Sequence, residues 1–230
     1  MGAGQTLPQG EEKVRAVRAM FDAIAPRYDL VNRLMTLRLD VRWRRLAVES
    51  LALPQGALVA DLASGTGDLC VELGKAGHRP LSFDLSVGML RADHSGASRT
   101  QADITCLPLA DCVLDGATCG FALRNLADLG RFFDELARVV RPGGRIALLD
   151  VATPPNPLLR WGHSIYFGAI VPRIGALLSD GAAYRYLPRS VAYLPPPAAM
   201  LERVRTAGFD DASRRLLSGG ITQLVTATRS

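Results

Sequence analysis

The stretch Ala57-Leu-Val-Ala-Asp-Leu-Ala-Ser-Gly-Thr-Gly-Asp-Leu69 decides how the rest of the chain is read. It opens with Ala57-Leu-Val-Ala60, a short apolar run of the kind that forms a buried parallel strand. Beyond it, Leu69–Gly74 carries apolar residues at helical spacing, so Gly65 and Gly67 fall on a strand-to-helix turn. Glycines there let a ligand approach the backbone, and the helix N-terminus offers free N–H groups and a positive dipole end. Nineteen residues past Gly65, Pro80-Leu-Ser-Phe83 ends at Asp84, where a second parallel strand would deliver a carboxylate to a ribose diol.

Two more pieces complete the pattern. Ala102-Asp103-Ile104-Thr-Cys-Leu-Pro-Leu109 would end a third strand and put Asp103 near an adenine amino group. Arg138-Val-Val-Arg-Pro-Gly-Gly-Arg145 closes an apolar helix at Pro142-Gly143-Gly144 and opens a strand over Ile146–Val151. In this order and spacing the four pieces resemble the class I S-adenosylmethionine-dependent methyltransferases. The alternative is another nucleotide-binding Rossmann domain, but the turn lacks both the full G-x-G-x-x-G of dinucleotide sites and a phosphate-binding lysine. The fold expected is α/β and Rossmann-like: a seven-stranded, mostly parallel sheet with N-terminal helices and a helical insertion on the substrate side.

At 230 residues the chain suits one substantial core rather than two domains. No apolar run reaches the length of about eighteen residues that suggests a membrane span, and the N-terminus lacks the apolar core of a signal peptide, so a cytoplasmic protein is expected. The cysteines Cys70, Cys106, Cys112 and Cys119 form no C-x-x-C pair and read as buried free thiols, with no metal site. Net charge is +5, yet lysine occurs only at positions 13 and 75, and the remaining 25 of 27 basic residues are scattered arginines. That bias looks like GC-rich coding; nucleic acid is not an expected partner, and a weak preference for a membrane surface is the second reading.

Residues 1–13 are Gly/Gln-rich without periodicity and read as disordered, leaving 14–230 as one domain. Val17, Met20, Phe21 and Ile24, then Leu30, Leu34 and Leu37, recur at three- and four-residue steps, which predicts helices before the sheet. Leu158–Leu178 is an apolar, aromatic helical excursion, Ala198–Gly208 a helix, and Phe209–Leu217 with Ile221–Thr228 a closing strand pair.

Four further segments sharpen the resemblance: Met20-Phe-Asp-Ala-Ile-Ala-Pro-Arg-Tyr-Asp29 with Trp43-Arg-Arg45, Gly120-Phe-Ala-Leu-Arg-Asn125, Ala183-Tyr-Arg-Tyr-Leu187, and Leu217-Ser-Gly-Gly-Ile221. From about Val14 to Thr222 the chain resembles the ubiquinone/menaquinone biosynthesis C-methyltransferase family. The resemblance implies cofactor contacts at Asp61, Gly65, Thr66 and Gly67 in the turn, Asp84 with Leu85 and Met89, Asp103 and Ile104, and Gly120, with Tyr28 closing over the cofactor. Its implied substrate-side residues are Tyr184, Tyr186 and Asp150, and its implied catalytic pair is Arg124 and Asn125. For Tyr28 the competing reading is an ordinary helix residue with its hydroxyl in water; for Arg124 it is an ion pair with Asp128 or Asp150. His163, alone among apolar residues, has a pKa suited to a base but reads first as a packing residue.

The chain departs from the family at Gly120, Ala122, Asp150, Pro188-Arg-Ser190 and Val225, mostly on the substrate side. The expected reaction is methylation of a ring carbon of an isoprenoid quinol, with demethylmenaquinol favoured by the arginine bias. A tailoring methyltransferase of an aromatic or polyketide product is the same-fold rival, and a non-methylating scaffold or cyclase the rival of another class. Partners expected are S-adenosylmethionine, a small aromatic or prenylated quinol, the inner face of a membrane and a second copy of the chain.

Overall fold

The computed structural model describes residues 9–171, 173 and 190–230. Seven strands form one sheet: β1 (Leu58–Leu62), β2 (Arg79–Asp84), β3 (Ser98–Gln101), β4 (Leu114–Gly120), β5 (Val140–Val151), β6 (Phe209–Leu217) and β7 (Thr222–Arg229). Their order is β3-β2-β1-β4-β5-β7-β6, parallel throughout except for β7, which runs antiparallel to both neighbours. The chain order reverses between β1 and β4, so a crevice opens beyond the carboxyl ends of these two strands.

Helices α1 (Gly10–Ile24), α2 (Tyr28–Thr36) and α3 (Leu39–Leu51) precede the sheet. The crossovers carry α4 (Asp68–Lys75), α5 (Val87–Ala92) and α6 (Leu129–Val139); α7 (Pro157–Ile165) and α8 (Pro197–Thr206) follow β5. Side-chain caps set the starts of α5, α6 and α7. Ser86 accepts from Met89 N, Asp128 from Arg131 N, and Asn156 from Leu158 N and Leu159 N ahead of Pro157. On one side of the sheet α6 buries Phe132, Phe133 and Leu136 against Leu62, Ile146 and Leu148; on the other α3 buries Trp43, Ala47 and Leu51 against Val59 and Leu149.

Four expectations change. The helix of β5's crossover ends at Val139 rather than at Pro142-Gly-Gly, because Val140 already pairs with Leu114 before a bulge brings Arg145 opposite Gly116. Pro142 cannot sit inside a helix, and Gly143 takes a φ of 76°. Leu30, Leu34 and Leu37 are helical in spacing but exposed; Val31 and Met35 supply the buried face of α2. Cys70 and Cys119 are buried, whereas Cys106 and Cys112 lie exposed in the turns between β3 and β4. Finally, α1 starts at Gly10, inside the segment expected to be disordered. Among the described residues no helix is long and apolar enough to cross a membrane.

The early start of α1 has a cause in Lys13. Its ammonium is buried, donates to the carbonyls of Arg124 (3.0 Å) and Leu126 (2.8 Å), and stands 3.5 Å from the centre of the Tyr193 ring. Burial pushes its pKa down to about 8. Between pH 8 and the ordinary value of 10.5 the folded chain sheds a proton that the unfolded chain keeps, so this contribution favours folding more as pH rises through that window. Lys13→Ala should release α1 at a cost of about 1–3 kcal/mol, read as about tenfold or faster amide exchange in α1 with the central strands unchanged. Unchanged exchange in α1 would mean that packing alone holds it.

Candidate active site

Two chambers lie side by side at the carboxyl ends of β1, β2 and β4. The first, of about 690 Å³, is lined by Ala63, Gly65, Asp84, Leu85, Met89, Asp103, Ile104 and Gly120, with α1 contributing from the other side through Val14, Val17 and Arg18. The second, of about 430 Å³, is mainly apolar and lies among α2, α3, α7 and the end of β7's hairpin, with Met35, Trp43, Leu159, Tyr166 and Ile221 in its wall. Phe21, Tyr28, Phe121 and Asn125 line both. They are the partition across which a group could pass from one chamber to the other.

Backbone conformation shapes the first chamber. Ala63 and Phe121, just beyond β1 and β4, hold left-handed φ angles of 54° and 61°. Such angles are uncommon for residues with a Cβ and cluster at functional sites. Gly65 has a φ of 58°, and an added Cβ would meet nothing nearer than Met89 Sδ at 4.0 Å, so the space beside this glycine is open. Gly67 is different: its φ is 86°, and a Cβ there would come within 2.5 Å of Asp93 Oδ1, so the position serves packing of the turn.

Asp84 accepts from Gly65 N at 2.8 Å and Ser86 N at 2.7 Å, one on each carboxylate oxygen, which fixes the group at the chamber wall with lone pairs to spare. Burial raises its pKa, and the two backbone N–H groups oppose that shift. Asp103 uses Oδ1 for Thr105 N and Thr105 Oγ1, leaving Oδ2 for a ligand, and buried Ile104 beside it suits the face of a flat ring. An open turn at Gly65, a fixed carboxylate at Asp84, a second at Asp103 and an apolar face at Ile104 match the ribose and adenine of S-adenosylmethionine. Asp29, Asp68 and His94 also converge nearby, but Asp68 already pairs with Arg33 at 3.4 Å and Arg44 at 3.3 Å, so the group is an ion-pair network.

The structure sorts the remaining expected residues. Leu85, Met89 and Gly120 line the first chamber. Asp61 and Thr66 do not reach it. Asp61 lies beneath the turn, accepting from Thr118 Oγ1 at 2.8 Å, and burial pushes its pKa up to about 7. Thr66 donates to Asp29 at 2.5 Å and ties the turn to α2. Gly120 has a packing reason as well, since a Cβ would lie 2.8 Å from Leu69 Cδ1. Tyr28 sits in the partition, not in water; burial raises its pKa, with Arg44 and a hydrogen bond to Asn32 opposing. Tyr184 and Tyr186 lie outside the described residues.

Asp150 needs correction, and Arg124 pairs with it. Asp150 is fully buried and takes no part in the cavity wall; it accepts from Arg124 Nη1 at 2.5 Å and from Arg124 N at 3.1 Å. Arg124 also donates to Phe121 O and to Ser190 Oγ. Asp150, Phe121 O and Ser190 Oγ thus engage Nη1 and Nε, while Arg124 still contributes to the wall of the second chamber. Asn125 is buried, and its Oδ1 has no hydrogen-bond partner. His163 Nε2 is likewise buried without a partner, and burial lowers the imidazole pKa. Its place in the second chamber agrees with a helical excursion on the substrate side, whereas those of Phe21 and the α1 residues were missed in the sequence: helical spacing marks an inward face without saying that a cavity lies there.

A doubly wound sheet with these groups at its switch point defines an S-adenosylmethionine-dependent methyltransferase of class I. Residues 8–229 match the ubiE/COQ5 methyltransferase family, and the chain belongs to it. It is 41% identical to the ubiquinone/menaquinone biosynthesis C-methyltransferase UbiE of Syntrophotalea carbinolica, over 93% of this chain and 94% of that one. It is 38% identical to the demethylmenaquinone methyltransferase of Roseiflexus castenholzii, over 97% of both, and 40% identical to that of Mycobacterium marinum, over 91% and 92%. Among solved structures, a SAM-dependent methyltransferase from Thermotoga maritima shares the fold with a TM-score of 0.65 at 17% identity, over 93% of this chain and 99% of that one.

Asp84→Ala removes the carboxylate and unpins the turn. S-adenosylmethionine affinity should fall by about ten- to a hundredfold, the worth of a charge-assisted contact of about 1.5–3 kcal/mol, as read by calorimetry. Unchanged affinity would detach Asp84 from cofactor binding.

Proposed function

We propose that the chain, with residues 14–230 as one catalytic domain, methylates a ring carbon of a demethylated isoprenoid quinol, demethylmenaquinol, at the cytoplasmic face of a membrane. The observation that carries this reading is the partition formed by Phe21, Tyr28, Phe121 and Asn125, with the chamber of Asp84 and Asp103 on one side and an apolar cavity on the other. The names of the demethylmenaquinone methyltransferases it resembles point the same way. S-adenosylmethionine, when bound, supplies an electrophilic methyl group, which a quinol ring carbon takes up with net loss of one ring proton.

The chain's own residues orient the acceptor and handle its proton. Three aromatic side chains of the partition exclude water, which strengthens every polar contact inside. Asn125 Oδ1, unpartnered and buried, accepts from one ring hydroxyl and so sets the ring's rotation. His163, kept neutral by burial, receives the proton of a ring hydroxyl at Nε2 and makes the adjacent carbon nucleophilic; the C–H proton of the methylated carbon then passes to that oxygen as the ring regains aromaticity, so one proton leaves in all. Arg124 holds Phe121 and the backbone of the Leu123–Asn125 turn through Asp150, rather than acting as the phenolate's main donor.

With purified protein in detergent, demethylmenaquinol bearing a short prenyl tail should be methylated in preference to the tail-less ring, since each buried methylene contributes about 0.8 kcal/mol. Methylation of neither quinol, together with modification of a tail-less polyketide aromatic, would replace this reading with the tailoring enzyme.

His163→Gln should lower kcat by about a hundredfold, within the range of general-base contributions, with cofactor affinity kept. In the parent, activity should fall as pH drops through the lowered histidine pKa, below 6.5, because protonation fills Nε2. An unchanged acid limb in His163→Gln would remove it as the base.

A further inference from the structure

We propose that the outward faces of α2 and α7 form one docking surface for an anionic lipid bilayer. Leu30, Leu34 and Leu37 stand one turn apart along α2, and Leu37, in the corner after it, is 79% exposed. Along α7, Leu158, Trp161 and Ile165 share one helical face, with Leu158 at 74% and Trp161 at 65% exposure. None of the residues of α7 is buried. Among the described residues, only Val113 and Leu216 are large apolar side chains comparably exposed elsewhere. A soluble surface rarely gathers so many on two adjacent helices without a partner.

The two helices are neighbours: Tyr166 Oη, just beyond α7, donates to Met35 O in α2 at 2.8 Å. Both border the apolar cavity, with Leu37 on one side and Leu158 and Leu159 on the other.

Charge selects lipid over other apolar partners. Segments 30–39 and 152–173 hold no aspartate or glutamate, and although Arg33 pairs with Asp68, Arg38 and Arg160 stand beside the exposed leucines. Arg38 follows Leu37 directly, and Arg160 lies between Leu159 and Trp161. Arginines beside exposed leucines, with a tryptophan at their level, suit the boundary where acyl chains meet anionic headgroups. The purpose rests on the quinol reading, because a prenyl tail could then pass from the bilayer into the cavity without crossing water. The docking itself is measured without turnover.

The test uses the full chain with vesicles of phosphatidylcholine, with or without phosphatidylglycerol. Trp43 is buried, so a blue shift of tryptophan emission on binding reports Trp161. Phosphatidylglycerol vesicles should sediment the protein and shift its emission, and added salt should weaken both effects. The double variant Leu34→Gln/Ile165→Gln, which touches neither chamber's lining, should bind these vesicles about tenfold or more weakly while keeping its activity in detergent. Equal vesicle binding by parent and variant would overturn the proposal. So would parent protein that stays in solution, or self-association of the parent that the variant abolishes, which would make the cover a second copy of the chain. If detergent activity on the quinol fails while vesicle binding holds, the quinol reading falls and the surface stands.

Discussion

A guanidinium taken out of water must be paired, and the pairing of Arg124 with Asp150 organises everything around the two chambers. Arg124 follows the end of β4, Asp150 is the penultimate residue of β5, and the same Arg124 side chain reaches Phe121 O and Ser190 Oγ. Its backbone takes part too: Arg124 N donates to Asp150, and Arg124 O accepts from Lys13 of α1. One buried cation thus joins two central strands, the N-terminal helix and the segment that begins at Ser190. Removing either partner would leave an unpaired charge in the interior, which is far costlier than losing a surface ion pair.

That arrangement explains why the two chambers differ in character. The cofactor side rests on strand ends, where parallel pairing fixes Gly65, Asp84 and Gly120 relative to one another. The acceptor side is built from α2, α3 and α7, and its wall is made of side-chain packing rather than backbone pairing. Helix faces accept substitution more readily than a strand ladder does, yet the departures expected on the substrate side are not all there: Ala122 lines the cofactor chamber. Val225 itself is buried in β7 against the core and stays clear of the cavity.

Residues that carry chemistry were legible where spacing along the chain equals position in the fold. The turn after β1 and the carboxylates ending β2 and following β3 are local features of a βαβ unit, so Gly65, Asp84 and Asp103 line one chamber as their spacing suggests. Asp61 and Thr66 belong to the same stretch, yet one packs under the turn and the other faces α2. Asp61 is still in β1 while Thr66 lies in the turn beyond it, a difference that a motif read as a block conceals. Arg124 was found as a residue, while its partner was decided among Asp128 and Asp150 only by the pairing of β4 with β5.

The amino-acid sequence by itself determined the doubly wound sheet, the cofactor turn and the family, because these follow from local propensity, glycine conformation and short-range spacing. Only the tertiary structure decided that Leu30, Leu34 and Leu37 face outward, that Lys13 docks α1 over the cofactor chamber, and that His163 meets the same cavity as Asn125. Periodicity shows that a helix has an apolar face but not what covers it. The side of α2 that is buried depends on where Met35 and Val31 find the residues of α1, and that contact is set by packing between segments.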